Sequence, residues 1–465
     1  MTLTLAKLYR VALFSCLLFL ELVLPGGVLS FYLTLVALAL SVALYAWRPP
    51  AFPLLVMFWE VAFLLVLAIE GIGAAGLIEG DVGARSFAIA ARCINAANAA
   101  FLLGHALVYV ERPLSSPVYR ARLLRKPGSL GLYFVALLYG LFLVTNLPLA
   151  LAAAIEGRAA GHPALTLSER PWFAALSAAG MVLPALISCV LRMRWPGRRI
   201  GAALIVLATP IFVIQFALGT RFALLYSFTG MMMIVLSARE FSRWRYLRLG
   251  ILSTLLFACG TLMAATRAGG FRHSSVQMTL DYLTDTRLVQ SEGAVHVAAR
   301  IVDYMDTHAP LYGKSSAAML VSWVPRELWE QKPTFLGYWF IREYGGARYS
   351  EGHSAAAGFV GDALLDFGPS GAVMVWLMIG LAFGGVERWA RRMIVERSSP
   401  GLLAAAMLYP ATYFAVRSFD TAFITYIGCV TLVLLFETLS RAATLRASGV
   451  RVSRNDVVSD ELGTA

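Results

Sequence analysis

Apolar runs of about 20 residues, the length that carries a helix across a hydrocarbon core, follow one another along most of this chain. They fall near 8–25, 28–47, 51–69, 87–110, 130–155, 172–191, 200–218, 222–238, 249–266, 370–386, 401–416 and 421–438. In lipid, every backbone N–H and C=O of a lone segment must be satisfied within its own helix. The pattern therefore predicts an all-α polytopic integral membrane protein with about twelve transmembrane helices. Composition excludes the soluble alternative. Only 14% of residues are charged, 59% are hydrophobic and the mean hydropathy is +0.71, whereas soluble domains carry about 25% charged residues to coat their surface. The N-terminal run is too long and wrongly flanked for a cleaved leader.

The net charge of +12 does not point to nucleic acid. The basic residues sit in short clusters between the apolar runs, and no basic-aromatic nucleic-acid module is present. With the N-terminus placed in the cytoplasm and the spans alternating, the dense arginine clusters at 111–129, 192–199, 239–248 and 387–399 fall on one side. The positive-inside rule makes that side cytoplasmic, and both termini lie there. Cys16, Cys93, Cys189, Cys259 and Cys429 all fall inside apolar runs without paired spacing, so they read as small core residues.

The chain divides into helices one to nine over 1–266, a long external, periplasmic loop over 267–369, helices ten to twelve over 370–440, and a polar tail over 441–465 expected to be disordered. The loop holds eleven acidic and nine basic residues and four of the six histidines. A connector of that length in a compact membrane protein is expected to be functional. Within it, 291–308 has helical periodicity. Ala294, Ala298, Ile301, Val302 and Met305 share one face, and Glu292, His296, Arg300 and Asp303 share the other, which is placed to meet either a substrate or solvent.

Arginines gather at the external boundary. Arg221 opens a span after Gly219-Thr220, Arg267 and Arg272 open the loop, and Arg417 stands in the tight turn before the last span. Each taken alone suits a side chain reaching for the headgroups. Together with Arg326 and Lys332 they form a candidate anion-binding surface. Trp323 and Trp329, in the proline-bracketed segment Trp323 to Pro333, suit an interfacial belt or stacking on sugar rings. His353, ahead of a helix leading into the tenth span, is placed to act as a base, and Glu292 is a second candidate. Phe367 to Gly371 reads as a turn re-entering the membrane. Within the spans, Glu60, Arg92, Asn95, Asn98 and His105 are costly to bury. Arg92 and Asn95 share a face, with Glu60 as their expected partner in interhelical contact. No carboxylate cluster has metal-site spacing, and neither a metal nor another cofactor is expected.

Four stretches between about 215 and 385 resemble the Wzy-type polymerases of lipid-linked oligosaccharide repeat units, the O-antigen polymerases among them. They are Gly219-Thr220-Arg221, Leu311-Tyr312-Gly313-Lys314, the segment from Pro325-Arg326 to Lys332-Pro333, and His353 to Gly371 with its Asp-Phe-Gly-x-x-Gly ending. The resemblance implies a GT-C-like, metal-independent glycosyltransferase of a bacterial inner membrane. Such an enzyme moves a growing glycan from undecaprenyl pyrophosphate to the non-reducing end of a new lipid-linked repeat during O-antigen, capsule or exopolysaccharide synthesis. It implies Arg221 and Arg326 at the pyrophosphate, with Arg267, Arg272 and Arg417 as further contacts, and His353 or Glu292 as base. A flippase and a chain-length regulator are the implied partners.

The O-antigen ligases are similar as well, through the Gly-Thr-Arg turn and a histidine ahead of a Gly-x-x-Gly re-entry. There the histidine is commonly followed by Asn, whereas Ser354 follows His353, and Pro325 to Pro333 fits the polymerases. A transporter of lipid-linked oligosaccharide is a third reading. It would be expected to concentrate charge near the bilayer midplane rather than in one external loop.

Overall fold

The computed structural model describes residues 2–24, 27–47, 54–68, 71–72, 82–109, 128–156, 171–195, 201–218, 221–236, 293–321, 324, 328–344, 358–396 and 399–447. Among them every regular element is helical, and the only extended pairing is the bridge between Gly358 and Ser418. In chain order the helices are α1 (Thr2–Val23), α2 (Val28–Trp47), α3 (Leu54–Phe63, continued by a π-helical turn Leu64–Ala68), α4 (Ala84–Val108), α5 (Ser129–Glu156), α6 (Pro171–Arg194), α7 (Gly201–Ala217) and α8 (Arg221–Leu236). The loop contributes α9 (Ala294–Met305), α10 (Lys314–Leu320) and α11 (Leu336–Tyr344). The chain then returns through α12 (Gly361–Glu396), α13 (Ser399–Arg417) and α14 (Phe419–Ala447). Each expected span coincides with one of these helices except 249–266, which lies outside the described residues. Four helices, α4, α5, α12 and α14, are long and apolar enough to cross a membrane. The last helix runs past residue 440 to Ala447, and residues beyond it lie outside the described set.

α4 is the centre of the bundle. Its most extensive partner is α12, and glycines make that approach possible. A Cβ on Gly380 would overlap the Phe101 carbonyl oxygen, and one on Gly104 would overlap that of Leu377. Gly384 follows Gly380 at four residues and lies against His105 and Val108, so the pair is a small-xxx-small seam of the kind that brings membrane helices into backbone contact. Beside this seam, Trp59, Phe101, Phe359 and Trp376 pack ring against ring, with Trp59 and Phe101 4.2 Å apart and Phe359 and Trp376 4.7 Å apart. The Trp59 indole donates to Asn98 Oδ1 at 2.8 Å. A second core lies among α5, α6, α7, α8, α13 and α14. Tyr226 of α8 donates there to the Met407 carbonyl at 2.9 Å.

The outer faces are apolar. Tyr133, Leu137, Leu141, Val144, Leu151 and Ile155 form an exposed stripe along α5, and Met374 and Met378 stand out from α12. Contiguous apolar exposure of this kind is stable against lipid, not water.

Candidate functional site

The described helices of the long loop pack onto the bundle. α9 packs against both α4 and α12 and is amphipathic as the periodicity predicts, with one departure on its polar face. Ala294, Ala298, Ile301 and Val302 are buried as the periodicity requires, but His296 is buried with them. Two supporting helices leave little of α9 uncovered. Arg300 lies over the Tyr344 ring of α11, and Asp303 reaches solvent.

The segment from Phe367 to Gly371 interrupts α12, dividing it into two helical stretches where the sequence predicts a turn. Gly368 adopts φ 74° and ψ 179°, a backbone state that glycine alone takes without strain. Pro369 follows and has no N–H for the Leu365 carbonyl. That carbonyl accepts instead from Leu311 N–H at 3.1 Å, and the Asp366 carbonyl accepts from Tyr312 N–H at 2.9 Å. The exchange is reciprocal, because the Asp366 carboxylate caps the first turn of α10. It accepts from Ser315 N–H at 2.9 Å, Ser316 N–H at 2.7 Å and Ser316 Oγ at 2.6 Å. Ser315 Oγ donates to Asp362, which also senses the charge of Asp420 at the start of α14. The kink and α10 thus form one hydrogen-bonded unit. Burial and the facing Asp420 carboxylate raise the Tyr338 phenol above its ordinary value.

The α13–α14 turn holds Arg417. The carbonyls of Val416 and Arg417, left open at the end of α13, accept from Phe359 N–H at 3.0 Å and Gly358 N–H at 2.9 Å. The stretch leading into α12 is thereby tied to the arginine turn. Arg221 arrives at the same end by a different route. α8 runs parallel to α14, since Tyr226 meets Tyr426 and Cys429, while Ile234 accepts from Arg192 of α6, whose Cys189 faces Glu437. At about 1.5 Å per residue, the first residue of α8 is level with the first turns of α14. α8 also packs directly on α13.

The other sequence candidates divide as follows. Lys332 is buried, and its ammonium donates to the Val324 carbonyl at 2.8 Å, closing the turn around it. Its charge is spent inside the loop rather than displayed on a surface. Trp329 is partly exposed and Arg417 half-buried. His353, Glu292, Arg267, Arg272, Arg326 and Trp323 lie outside the described residues, as does the Arg221 side chain.

Glu60 does not pair with Arg92. Ser41 of α2 donates to Glu60 at 2.7 Å, and the charges nearest it are Arg10 and Glu387. Arg92 lies instead beside Glu21, which accepts from Ser30. Asn95 donates to Ser30 Oγ at 3.0 Å. The more extended network was missed from sequence. Arg10 meets His105 Nδ1 at 3.3 Å, His105 Nε2 meets Glu387 at 2.7 Å, and the other Glu387 oxygen accepts from Leu55 N–H at 3.1 Å. Arginine can only donate, so Nδ1 accepts and the imidazole proton sits on Nε2, pointing at Glu387. The available signal was the intramembrane charge itself. Arg10 lies near the start of the first apolar run and Glu387 immediately after the tenth, so both read as charge at the ends of spans.

These features define a helical membrane protein whose described loop helices are docked at one end of the bundle, beside two arginine-bearing helix ends. No family model matches the chain, and no curated protein or solved structure is significantly similar to it.

Proposed function

We propose that this protein is a polymerase of undecaprenyl-pyrophosphate-linked oligosaccharide repeat units. In this reading it is a twelve-span, GT-C-like enzyme of a bacterial inner membrane, with cytoplasmic termini and a periplasmic active face. The observation that supports it is the convergence of the Arg221 end of α8, the Arg417 turn and the docked loop helices at one end of an apolar bundle. That arrangement suits a substrate with a polyprenyl tail in lipid and an anionic pyrophosphate at the boundary.

In the reaction, the acceptor sugar hydroxyl forms a bond to the donor's anomeric carbon as the bond from that carbon to the pyrophosphate oxygen breaks. A base removes the hydroxyl proton, the role given to His353 with Glu292 second. The released undecaprenyl pyrophosphate carries the developing negative charge. Arg221 and Arg326 stabilise it, with Arg267, Arg272 and Arg417 as further contacts.

The test is the size distribution of surface and lipid-linked glycan in a strain lacking the protein, complemented with wild type, Arg221→Ala or His353→Ala. Wild type is expected to restore a long-chain ladder. Each variant, present at normal level in the membrane, is expected to leave surface glycan of a single repeat. Long polymer stranded on the lipid carrier in the deletion strain would make the protein a ligase and overturn the proposal. Full polymerisation by His353→Ala would remove the base assignment alone.

A further inference from the structure

The docked loop presents two surfaces of opposite character. At the end of α9 and just beyond it, Asp303, Asp306, Thr307 and His308 are exposed, and Asp306 pairs with Arg85 of α4 at 3.1 Å. This is a surface made for water. Beginning at Tyr312 the pattern reverses. Tyr312 is 76% exposed, Leu320 67% and Leu328 80%, with Trp329 exposed beside Leu328.

This apolar surface continues into the bundle. Phe367, exposed at the α12 kink, comes within 3.7 Å of where a Cβ on Gly313 would stand. Beyond the kink, the exposed Met374 and Met378 carry it along α12, one of the helices long and apolar enough to cross a membrane. The segment is also held in place. Leu311 and Tyr312 are bonded to α12, Asp366 caps α10, and Lys332 closes the turn from Val324.

We propose that residues 311–321 and 328–332 form an interfacial anchor, with Tyr312, Leu320, Leu328 and Trp329 seated in the headgroup layer of the bilayer that the bundle spans. Tyrosine and tryptophan are favoured there because the ring enters apolar surroundings while the polar atom stays hydrated. The exposed Lys314 and the exposed Glu330 and Gln331 beside Trp329 supply polar groups at headgroup depth. The two aliphatic residues decide against a sugar-binding platform, since leucine offers no ring face for stacking. Continuity with Met374 and Met378 identifies the covering phase as lipid. The inference does not depend on the catalytic reading.

The test uses full-length protein in phospholipid nanodiscs, with the native cysteines replaced and a single nitroxide label at Leu320→Cys, Leu328→Cys or, as a water-facing control, Thr307→Cys. Oxygen concentrates in lipid, whereas a nickel chelate stays in water. Labels at 320 and 328 are expected to collide more often with oxygen than with the chelate, and the label at 307 the reverse. Because Leu320 and Leu328 are exposed, labelling them displaces no packed neighbour. Gel filtration confirms that each variant is folded and monodisperse. Chelate accessibility at 320 and 328 equal to that at 307 would overturn the anchor. So would shielding from both reagents, the signature of a second copy or another protein covering the surface.

Discussion

One methyl group at Gly380 is expected to destabilise the protein, and the same methyl group at Gly385, on the same helix, to leave it as stable or slightly more so. The seam between α4 and α12 accounts for the difference. A Cβ at Gly380 overlaps the Phe101 carbonyl oxygen and lies 2.9 Å from both the carbonyl carbon and Cα of Phe101. Carbon atoms in comfortable contact are about 3.5–4.0 Å apart, so the helices must separate by about 0.6–1 Å, a gap that forfeits a quarter to a half of the dispersion attraction along the contact. The obstructing atoms are backbone, so no side chain can turn aside. This places the cost near the top of the overpacking range, about 3 kcal/mol. Alanine recovers about 1 kcal/mol over glycine in helix propensity, leaving a net loss of about 2 kcal/mol. At Gly385 nothing lies within 4 Å of the added Cβ, so only the propensity gain remains.

The assay is the apparent melting temperature of Gly380→Ala and Gly385→Ala in the same detergent, read by intrinsic fluorescence. Gly104→Ala supplies an internal check. Its Cβ would overlap the Leu377 carbonyl and stand 2.9 Å from Leu381 N across the same seam. Once one alanine has forced the helices apart, the second meets less resistance, so the double variant should lose less than the sum of the singles. Gly380→Ala melting at or above wild type, or a strictly additive double variant, would refute the proposed close approach of α4 and α12.

Two further outcomes follow from the polar contacts. Glu387→Leu leaves the His105 Nε2–H and the Leu55 N–H without acceptors and is expected to cost about 1–3 kcal/mol for each buried donor, whereas Glu387→Gln keeps an acceptor and costs less; equal melting temperatures for the two would show that the contact carries no weight. Asp366→Ala removes the cap from α10, at about 1 kcal/mol for a capping carboxylate and more for the additional bonds. Faster hydrogen exchange confined to 311–321 is expected, and unchanged exchange there would count against the reciprocal lock.

What could be read from the sequence follows from which interactions are local. Each described helix of the bundle was legible because an apolar run of the right length is a property of consecutive residues. The seam between α4 and α12 left a local trace as well, since Gly380 and Gly384 are four apart, but the trace gains meaning only beside Gly104, nearly three hundred residues earlier. The re-entry at Phe367 to Gly371 was legible as a break because Gly368 and Pro369 cannot continue a helix unaided. What holds the break in place is the pair of donors from Leu311 and Tyr312 to the Leu365 and Asp366 carbonyls, which no window around residue 368 contains. Glu60 was assigned to Arg92 because their spans are close in the chain, yet the partner is set by how each helix is rotated about its axis. That rotation turns Glu60 toward Ser41 and brings Arg92 beside Glu21.

The same reasoning explains the fate of the charged loop residues. Lys332 looked available for an anion because a lysine in a polar loop is ordinarily solvated. Its burial follows from the Val324 carbonyl, an acceptor that the turn itself creates and that sequence alone does not display. Arg221 and Arg417 differ in kind from Lys332, because their position depends on where helices end and not on how a loop folds. Helix ends follow from hydropathy, whereas loop interiors follow from hydrogen bonds made only after folding. The helix-end positions of Arg221 and Arg417 are therefore what the sequence was best able to locate.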